Sequence, residues 1–188
     1  MPLHSERQSS QSIGFITVRL HPEHGYFGGL LLVNHLARPL EFHCTLPIKP
    51  SRAQSILYGP TLDDFLCGEQ IARALASKSK SSPVAIFTDT PAVLSLRNIA
   101  SNPILLVEIE SDPVVDSASF IYKPIGSYRD FFRFKISGYS IAVLKSFSDD
   151  AAGIQQFWKE TEPQIDLMEP FGRIAEALLE AHPAAKAA

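Results

Sequence analysis

The stretch that decides the fold is PVAIFTDTPAVLSLRNIASNPILLVEIE, residues 83–110. Its first six residues and the run 104–109 are mostly apolar and have the length of buried strands. Between them Thr90 is a favoured N-cap and Pro91 a favoured first helical residue, and Asn102 with Pro103 ends the helix. Strand, helix and strand within so short a span predict a βαβ unit, with two parallel strands and a helix that covers them.

The first third of the chain favours antiparallel strands. Residues 13–20 alternate apolar with polar, 28–34 are continuously apolar, and 40–46 alternate again. In the last run Leu40 and Phe42 share one face, whereas Glu41 and His43 share the other. We therefore expect a meander with a hairpin over residues 30–46, a loop over 21–27 and a turn over 35–39.

Two helices are predicted next, each from a capping box. Ser51 with Gln54 opens the first, and Thr61 with Asp64 opens the second, with Asp in place of the usual Glu. Strands are expected at 118–125, 129–136 and 139–145, with a two-residue turn at Ser137. The C-terminal helix carries a regular apolar stripe, made of Phe171, Ile174, Ala175, Leu178 and Leu179.

These elements predict an α/β or α+β fold in one domain. Its centre is a mixed sheet of seven or eight strands, flanked by helices, with a helical C-terminus on one face. We place the domain at residues 13–182, with polar or small-residue tails at 1–12 and 183–188. The apolar stripe of the last helix must be buried on the sheet or on a second copy, so self-association through this helix is an open expectation.

Composition excludes some classes of function. The 188 residues carry a net charge of −3, so the chain as a whole does not attract nucleic acid or an anionic membrane. No apolar run approaches the ~20 residues that span a bilayer. Cys44 and Cys67 lack the spacing of a metal or redox pair, and together with the polar N-terminus they indicate a cytoplasmic protein with reduced thiols. No cofactor-binding motif is present, and no cofactor is expected.

Three histidines are candidate metal ligands. His21 and His24 lie in the predicted loop, and a turn centred near residues 36–37 would pair His43 with Leu30, a few residues from that loop. Three imidazoles and a water suit a catalytic zinc ion. The alternative is that the loop histidines are solvated and that His43 is an exposed strand residue.

Asp89 follows a predicted parallel strand, at the edge of the sheet where α/β proteins bind ligands. Glu108 and Glu110 lie on the next strand, and paired carboxylates can hold a cation or act as acid and base. The alternative is that Asp89 caps the following helix and that the glutamates are solvated.

The charge pattern singles out one further surface. Residues 98–122 contain no Lys or Arg and four acids, whereas residues 123–145 contain five basic residues and one acid, interleaved with aromatic residues. Arg129, Arg133 and Lys135 are therefore candidates for binding a protein partner or, with stacked aromatic rings, nucleic acid. The alternative is that acidic and basic strands lie side by side and pair their charges.

The sequence assigns no catalytic residue. We expect a non-enzymatic module that recognises a protein partner. A small metal-dependent hydrolase and a nucleic-acid-binding accessory protein are the alternatives.

Overall fold

The structure, a computed structural model, describes residues 11–109 and 130–183. In chain order the strands of these ranges are β1 (Ile13–His21), β2 (Gly25–Val33), β3 (Pro39–Cys44), β4 (Ile86–Thr88), β5 (Ile104–Glu108), β6 (Phe131–Ile136) and β7 (Tyr139–Leu144). They form one sheet in the order β3-β2-β1-β4-β5-β7-β6. β1, β4 and β5 run parallel and the other neighbours antiparallel, which confirms the predicted α/β class with a mixed sheet.

The parallel pair at the centre of the sheet is the predicted βαβ unit, with one difference. Ile86 of β4 lies opposite Ile104 of β5, and a helix connects the two strands as expected. This helix, Pro91–Asn98, is a 3-10 helix instead of an α-helix. Pro91 begins it, but the Thr90 side chain makes no cap hydrogen bond to it.

The N-terminal meander is confirmed; its first two strands are longer than predicted, and its third, expected over 40–46, ends at Cys44. β1 continues to His21 and β2 begins at Gly25, so the expected loop over 21–27 shrinks to three residues. Gly25 has a φ of 90°, and it lies against the backbone of Ile48, with which Tyr26 pairs. The hairpin between β2 and β3 has the predicted register, with Leu30 opposite His43.

The crossover from β3 to β4 contains two α-helices and two tighter or wider helical segments. These are α1 (Arg52–Tyr58), a 3-10 turn (Gly59–Thr61), a π-helix (Asp64–Ala72) and α2 (Arg73–Lys78). The capping box of Ser51 and Gln54 is present at the start of α1. The box predicted at Thr61 is wrong, because the Thr61 hydroxyl donates to the carbonyl of Tyr58 instead.

The sheet has an apolar core on each face. On one face the π-helix, α2 and the 3-10 helix Pro91–Asn98 cover side chains such as Ile16, Leu30 and Ile86, and we call this the π-helix face. On the other face α3 (Asp149–Thr161) and α4 (Glu169–Ala181) cover side chains such as Phe15, Phe27 and Phe87. We call this the α3/α4 face.

The terminal apolar stripe packs within its own chain. Phe171, Ile174 and Leu178 are at most 2% exposed, and α4 lies on β1 and β2. The expectation that this helix mediates self-association is therefore not supported, since the sheet already occupies its apolar side. The hairpin of β6 and β7 is confirmed, with Ser137 and Gly138 at φ values of 49° and 86° in its turn.

The strand predicted at 118–125 lies outside the described residues. Among the described helices, none combines the length and the apolar content needed to cross a bilayer.

Candidate functional site

A buried polar cluster joins β1, from its middle onward, to the carboxyl end of β4. Thr17 and Arg19 extend from β1, and Asp89 and Thr90 follow β4 directly; all four residues are at most 8% exposed. Phe15 of β1 lies opposite Phe87 of β4, and Thr17 and Asp89 each follow two residues later. The parallel register of the two strands therefore brings the four residues together. We call this set the Asp89 cluster.

Both carboxylate oxygens of Asp89 are engaged in this cluster. Oδ1 accepts from the hydroxyl of Thr17 at 2.6 Å and of Thr90 at 3.1 Å, and Oδ2 lies 2.7 Å from Nη2 of Arg19. Arg19 Nη1 also donates to the Thr17 hydroxyl. A buried charge requires such partners, because its desolvation is otherwise uncompensated.

Asp89 follows the carboxyl end of β4, the edge at which ligands bind in many open α/β sheets. β1, however, leads to β2 through a tight antiparallel turn and not through a crossover, so β1 and β4 do not form the switch point of such sheets. The side chains there are hydrogen-bonded to one another, so the observed role of Asp89 is to fasten β4 to β1. The prediction that Asp89 caps the following helix is wrong, because its oxygens bind Thr17, Arg19 and Thr90.

Asp89 and Glu108 are not brought together. Glu108 follows Val107, whose side chain belongs to the core of the α3/α4 face, so Glu108 lies on the π-helix face. There its Oε1 is 2.9 Å from Nε of Arg133, and its Oε2 accepts from the Ser140 hydroxyl at 2.9 Å. Glu110 lies outside the described residues.

The structure brings two of the three candidate histidines together. The rings of His21 and His24 have centroids 4.6 Å apart, and Nδ1 of His21 accepts from the amides of Glu23 and His24. His21 also contacts the ring of Phe27, which places it on the α3/α4 face.

His43 lies on the opposite face of the sheet. It is paired with Leu30, a core residue of the π-helix face, and its Nε2 is 3.0 Å from Oε2 of Glu41. The proposed three-histidine set is therefore not assembled. Within residues 11–109 and 130–183, no three His, Cys, Asp or Glu side chains are arranged to hold a metal ion.

Glu41 fastens the edge strand β3 to the loop that follows α2. Its carboxylate accepts from the amides of Lys80 at 2.9 Å and Ser81 at 3.0 Å, and from the Ser81 hydroxyl at 2.8 Å. The hydrogen bond from His43, followed by those from Lys80 and Ser81, lowers the pKa of Glu41 to about 2. Successive amides that converge on an anion in this way form a nest, which here holds a carboxylate of the same chain.

The basic surface predicted on β6 is partly paired with acid. Arg133 forms an ion pair with Glu108 and its guanidinium lies 5.4 Å from the ring centre of Phe131. The ion pair of Arg133 with Glu108 thus agrees with the alternative expectation, in which acidic and basic strands lie side by side and pair their charges. Lys135 is exposed on the same face of β6, and Arg129 lies outside the described residues.

Exposed apolar side chains that the sequence reasoning missed lie on α1 and in the segment before it. Leu46 is 78% exposed, and Ile56 and Leu57 of α1 are 68% and 83% exposed. We call these three residues the α1 surface. The start signals at Ser51 and Thr61 leave room for a helix of only about two turns, which is too short for its apolar periodicity to tell whether Ile56 and Leu57 are buried.

α1 is fixed at both ends. Before it, Tyr26 and Ile48 exchange backbone hydrogen bonds of 2.8 and 2.9 Å. After it, the ring of Tyr58 stacks on Phe65 with centroids 4.2 Å apart, so this tyrosine is a packing residue at the helix end. The segment that contains α1 is thereby attached to the rest of the protein on both sides, while Ile56 and Leu57 are exposed.

Comparisons of the chain with protein-family models, with curated proteins and with solved structures find no match.

Proposed function

We propose that the protein is a binding module that recognises a protein partner through the α1 surface. The observation that carries the proposal is the exposure of Ile56 and Leu57 on a helix that is anchored at both ends. All seven residues of α1 are exposed or half-buried, so these side chains add little to the folding of their own chain. Anchored apolar side chains of this kind are typical of helices that enter a groove of another protein.

The charges around α1 indicate the chemistry of the partner. Residues 42–62 contain Lys49 and Arg52 and neither Asp nor Glu, in a chain whose net charge is −3. A local positive charge beside exposed aliphatic side chains is complementary to an apolar groove with carboxylates on its rim. We therefore assign the partner as a protein with an acidic, apolar groove.

A lipid surface shares part of this chemistry but fits less well. Helices that lie in a membrane interface have a long apolar face and several basic residues. Two basic residues contribute only about 1 kcal/mol each at an anionic surface, and α1 has seven residues. A protein groove therefore suits this surface better.

The test uses a photoreactive residue in place of Leu57, in the cells that make the protein, with Ile99 as the matched control. Ile99 is also an aliphatic residue, 50% exposed, and lies just after the 3-10 helix Pro91–Asn98. A protein that is cross-linked from position 57 and not from 99 is then purified and titrated calorimetrically with the wild type, Leu57→Asp and Ile99→Asp.

We expect Leu57→Asp to weaken binding by about tenfold or more, as for a central interface residue, and Ile99→Asp to leave it unchanged. Equal effects of the two variants would overturn the proposal. So would co-sedimentation of the wild type, but not of Leu57→Asp, with vesicles of phosphatidylcholine and phosphatidylserine, because the surface would then be a membrane contact.

A further inference from the structure

A partly enclosed cavity of about 210 Å³ lies where the crossover leaves α2 and returns to β4. Residues 79–83, which follow α2, are three serines, a lysine and a proline, and these mostly short side chains leave the space beside the sheet unfilled. Leu30 of β2 and Ile86 of β4, both almost fully buried, border the cavity on the sheet side, and Ala76 of α2 borders it on the helix side. The inner end of the cavity therefore has aliphatic walls.

The mouth of the cavity carries hydrogen-bond donors. Lys80 and Ser82 are exposed and line it, and none of the described lining residues is Asp or Glu. The hydroxyl of Ser82 accepts from Nδ2 of Asn102 at 3.1 Å, which leaves its own proton to donate. Among the residues that the structure describes, the Lys80 ammonium has no ion-pair partner, and its flexible stem lets it reach an anion at the mouth.

The charges around the cavity favour a ligand with a single negative charge. Residues 73–83 contain three basic residues and no acidic one. The carboxylate of Glu41 contacts the same loop, but it is held by the amides of Lys80 and Ser81 and does not line the cavity. The basic segment attracts an anion, whereas Glu41 disfavours a doubly charged group such as a phosphate.

We propose that this cavity binds a small aliphatic carboxylate. The carbon chain of the ligand lies against Leu30, Ala76 and Ile86, and its carboxylate is bound at the mouth by Lys80 and Ser82. Ligand sites combine apolar walls with a few converging polar groups in this way. A cavity of about 150 Å³ holds a benzene ring, so this one accommodates a chain of about six carbons. The negative charge of the carboxylate strengthens the hydrogen bonds that it accepts from an ammonium and a hydroxyl group.

This site is separate from the surface proposed for partner recognition. The described residues that line the cavity do not include Leu46, Ile56 or Leu57. Leu57→Asp is therefore expected to bind the carboxylate like the wild type, and the two proposals can fail independently of each other.

The test is an NMR titration that follows the backbone amides of the full chain at neutral pH, with hexanoate as the probe. We expect saturable shifts at the amides of Ala76 and Ser82, with a Kd on the order of 1 mM or below. Hexanol and hexylamine have the same carbon chain without the negative charge, and they should bind at least about tenfold more weakly.

A substitution that fills the cavity tests the position of the ligand. Ala76→Leu occupies the inner end and should abolish the binding of hexanoate. Ala74→Leu is the matched control, because Ala74 is exposed on the same helix and does not line the cavity; this variant should bind hexanoate normally. Emission of the single tryptophan, Trp158, which is 9% exposed, reports whether each variant is folded.

A second variant tests the charge without altering the core. Lys80→Met removes the ammonium and keeps the amide that Glu41 accepts, so the loop keeps its attachment to β3. We expect it to bind hexanoate about tenfold more weakly than the wild type and to bind hexanol unchanged. Lys78→Met is the matched control, because Lys78 is exposed two residues earlier and does not line the cavity.

Three results would overturn this proposal: no saturable shifts up to the solubility limit of hexanoate, binding that Ala76→Leu leaves intact, or equal losses in Lys78→Met and Lys80→Met. Tighter binding of butyl phosphate than of hexanoate would also overturn it, because the ligand would then be a phosphate.

Discussion

Asp89 and Arg19 form an ion pair of 2.7 Å that ties the end of one central parallel strand to its neighbour inside the protein. Their side chains are 2% and 10% exposed. Two hydroxyl groups complete the coordination of the carboxylate, so the charge is buried with its hydrogen-bonding capacity engaged. Arg19 lies on the same face of β1 as Phe15, and Asp89 lies on the same side of the sheet as Phe87. The ion pair therefore lies at the end of the core of the α3/α4 face. That position makes it a strong determinant of stability.

Removal of this carboxylate is expected to destabilise the protein severely. Asp89→Ala leaves the Arg19 guanidinium buried without this carboxylate and takes away the acceptor of the Thr17 hydroxyl, and the loss of one partner of a buried pair costs about 3–5 kcal/mol. The free energy of unfolding in urea measures this. Glu169→Ala is the control, since it breaks an exposed helical pair with Arg173 and should cost less than about 1 kcal/mol. Similar losses in the two variants would contradict the role of the Asp89 cluster.

Glu41 is expected to make stability depend on pH in the acidic range. Hydrogen bonds from His43, Lys80 and Ser81 lower its pKa from 4.5 to about 2. Since the folded state holds the ionised form more tightly than the unfolded state, the stabilisation is complete above pH 4.5. It is lost as the pH falls toward 2.

An NMR titration that follows the side-chain carboxyl carbon of Glu41 measures this lowered pKa directly. The variant Glu41→Gln should be less stable than the wild type at neutral pH, and the difference should shrink between pH 4.5 and pH 2. His43 faces this carboxylate from its own strand, and Lys80 and Ser81 face it from the loop after α2. A titration midpoint near 4.5 would show that the loop does not hold the carboxylate in solution.

The central βαβ unit could be predicted from the sequence, whereas the Asp89 cluster could not. β4 and β5 were predictable because strand, helix start and strand follow one another along the chain. The partners Thr17 and Asp89 are 72 residues apart, and they meet only because β1 lies beside β4 in one register. Nothing in the local pattern of either strand specifies that adjacency.

The same limit applies to the edge strand and to the crossover. The turn near residues 36–37 fixed the register of Leu30 with His43, since hairpin partners are close in sequence. The attachment of Glu41 to Ser81, 40 residues away, depends on where the crossover passes. The second predicted helix was expected to be an α-helix throughout, whereas its first part, Asp64–Ala72, is a π-helix.

The π-helix is expected to tolerate no side chain at Gly68. A Cβ there would lie 2.9 Å from the carbonyl oxygen of Ala92 and would meet the Ser95 side chain, whose hydroxyl lies 2.8 Å from the carbonyl oxygens of both Asp64 and Ala92. Gly68→Ala therefore overpacks the contact between two helices and should cost about 1–3 kcal/mol. Thermal unfolding of the variant measures the loss.

Gly153 provides the matched control for this substitution. It lies in α3, and a methyl group at this position would extend into open space. Gly153→Ala should therefore raise stability by about 0.5–1 kcal/mol through helix propensity alone. If both variants were stabilised, the close approach of the π-helix to the 3-10 helix Pro91–Asn98 would be incorrect.

Because Leu57 is exposed, a substitution at this position can test binding with little effect on the stability of the fold. Because 83% of this residue is exposed, Leu57→Asp should change the free energy of unfolding by less than about 1 kcal/mol. Leu178, which is fully buried on the sheet, is the contrasting position, and Leu178→Ala should cost about 2–5 kcal/mol. Urea unfolding followed by the emission of Trp158 compares the two. A loss above about 2 kcal/mol for Leu57→Asp would mean that this leucine packs within its own chain, and the proposed recognition surface on α1 would lose its support.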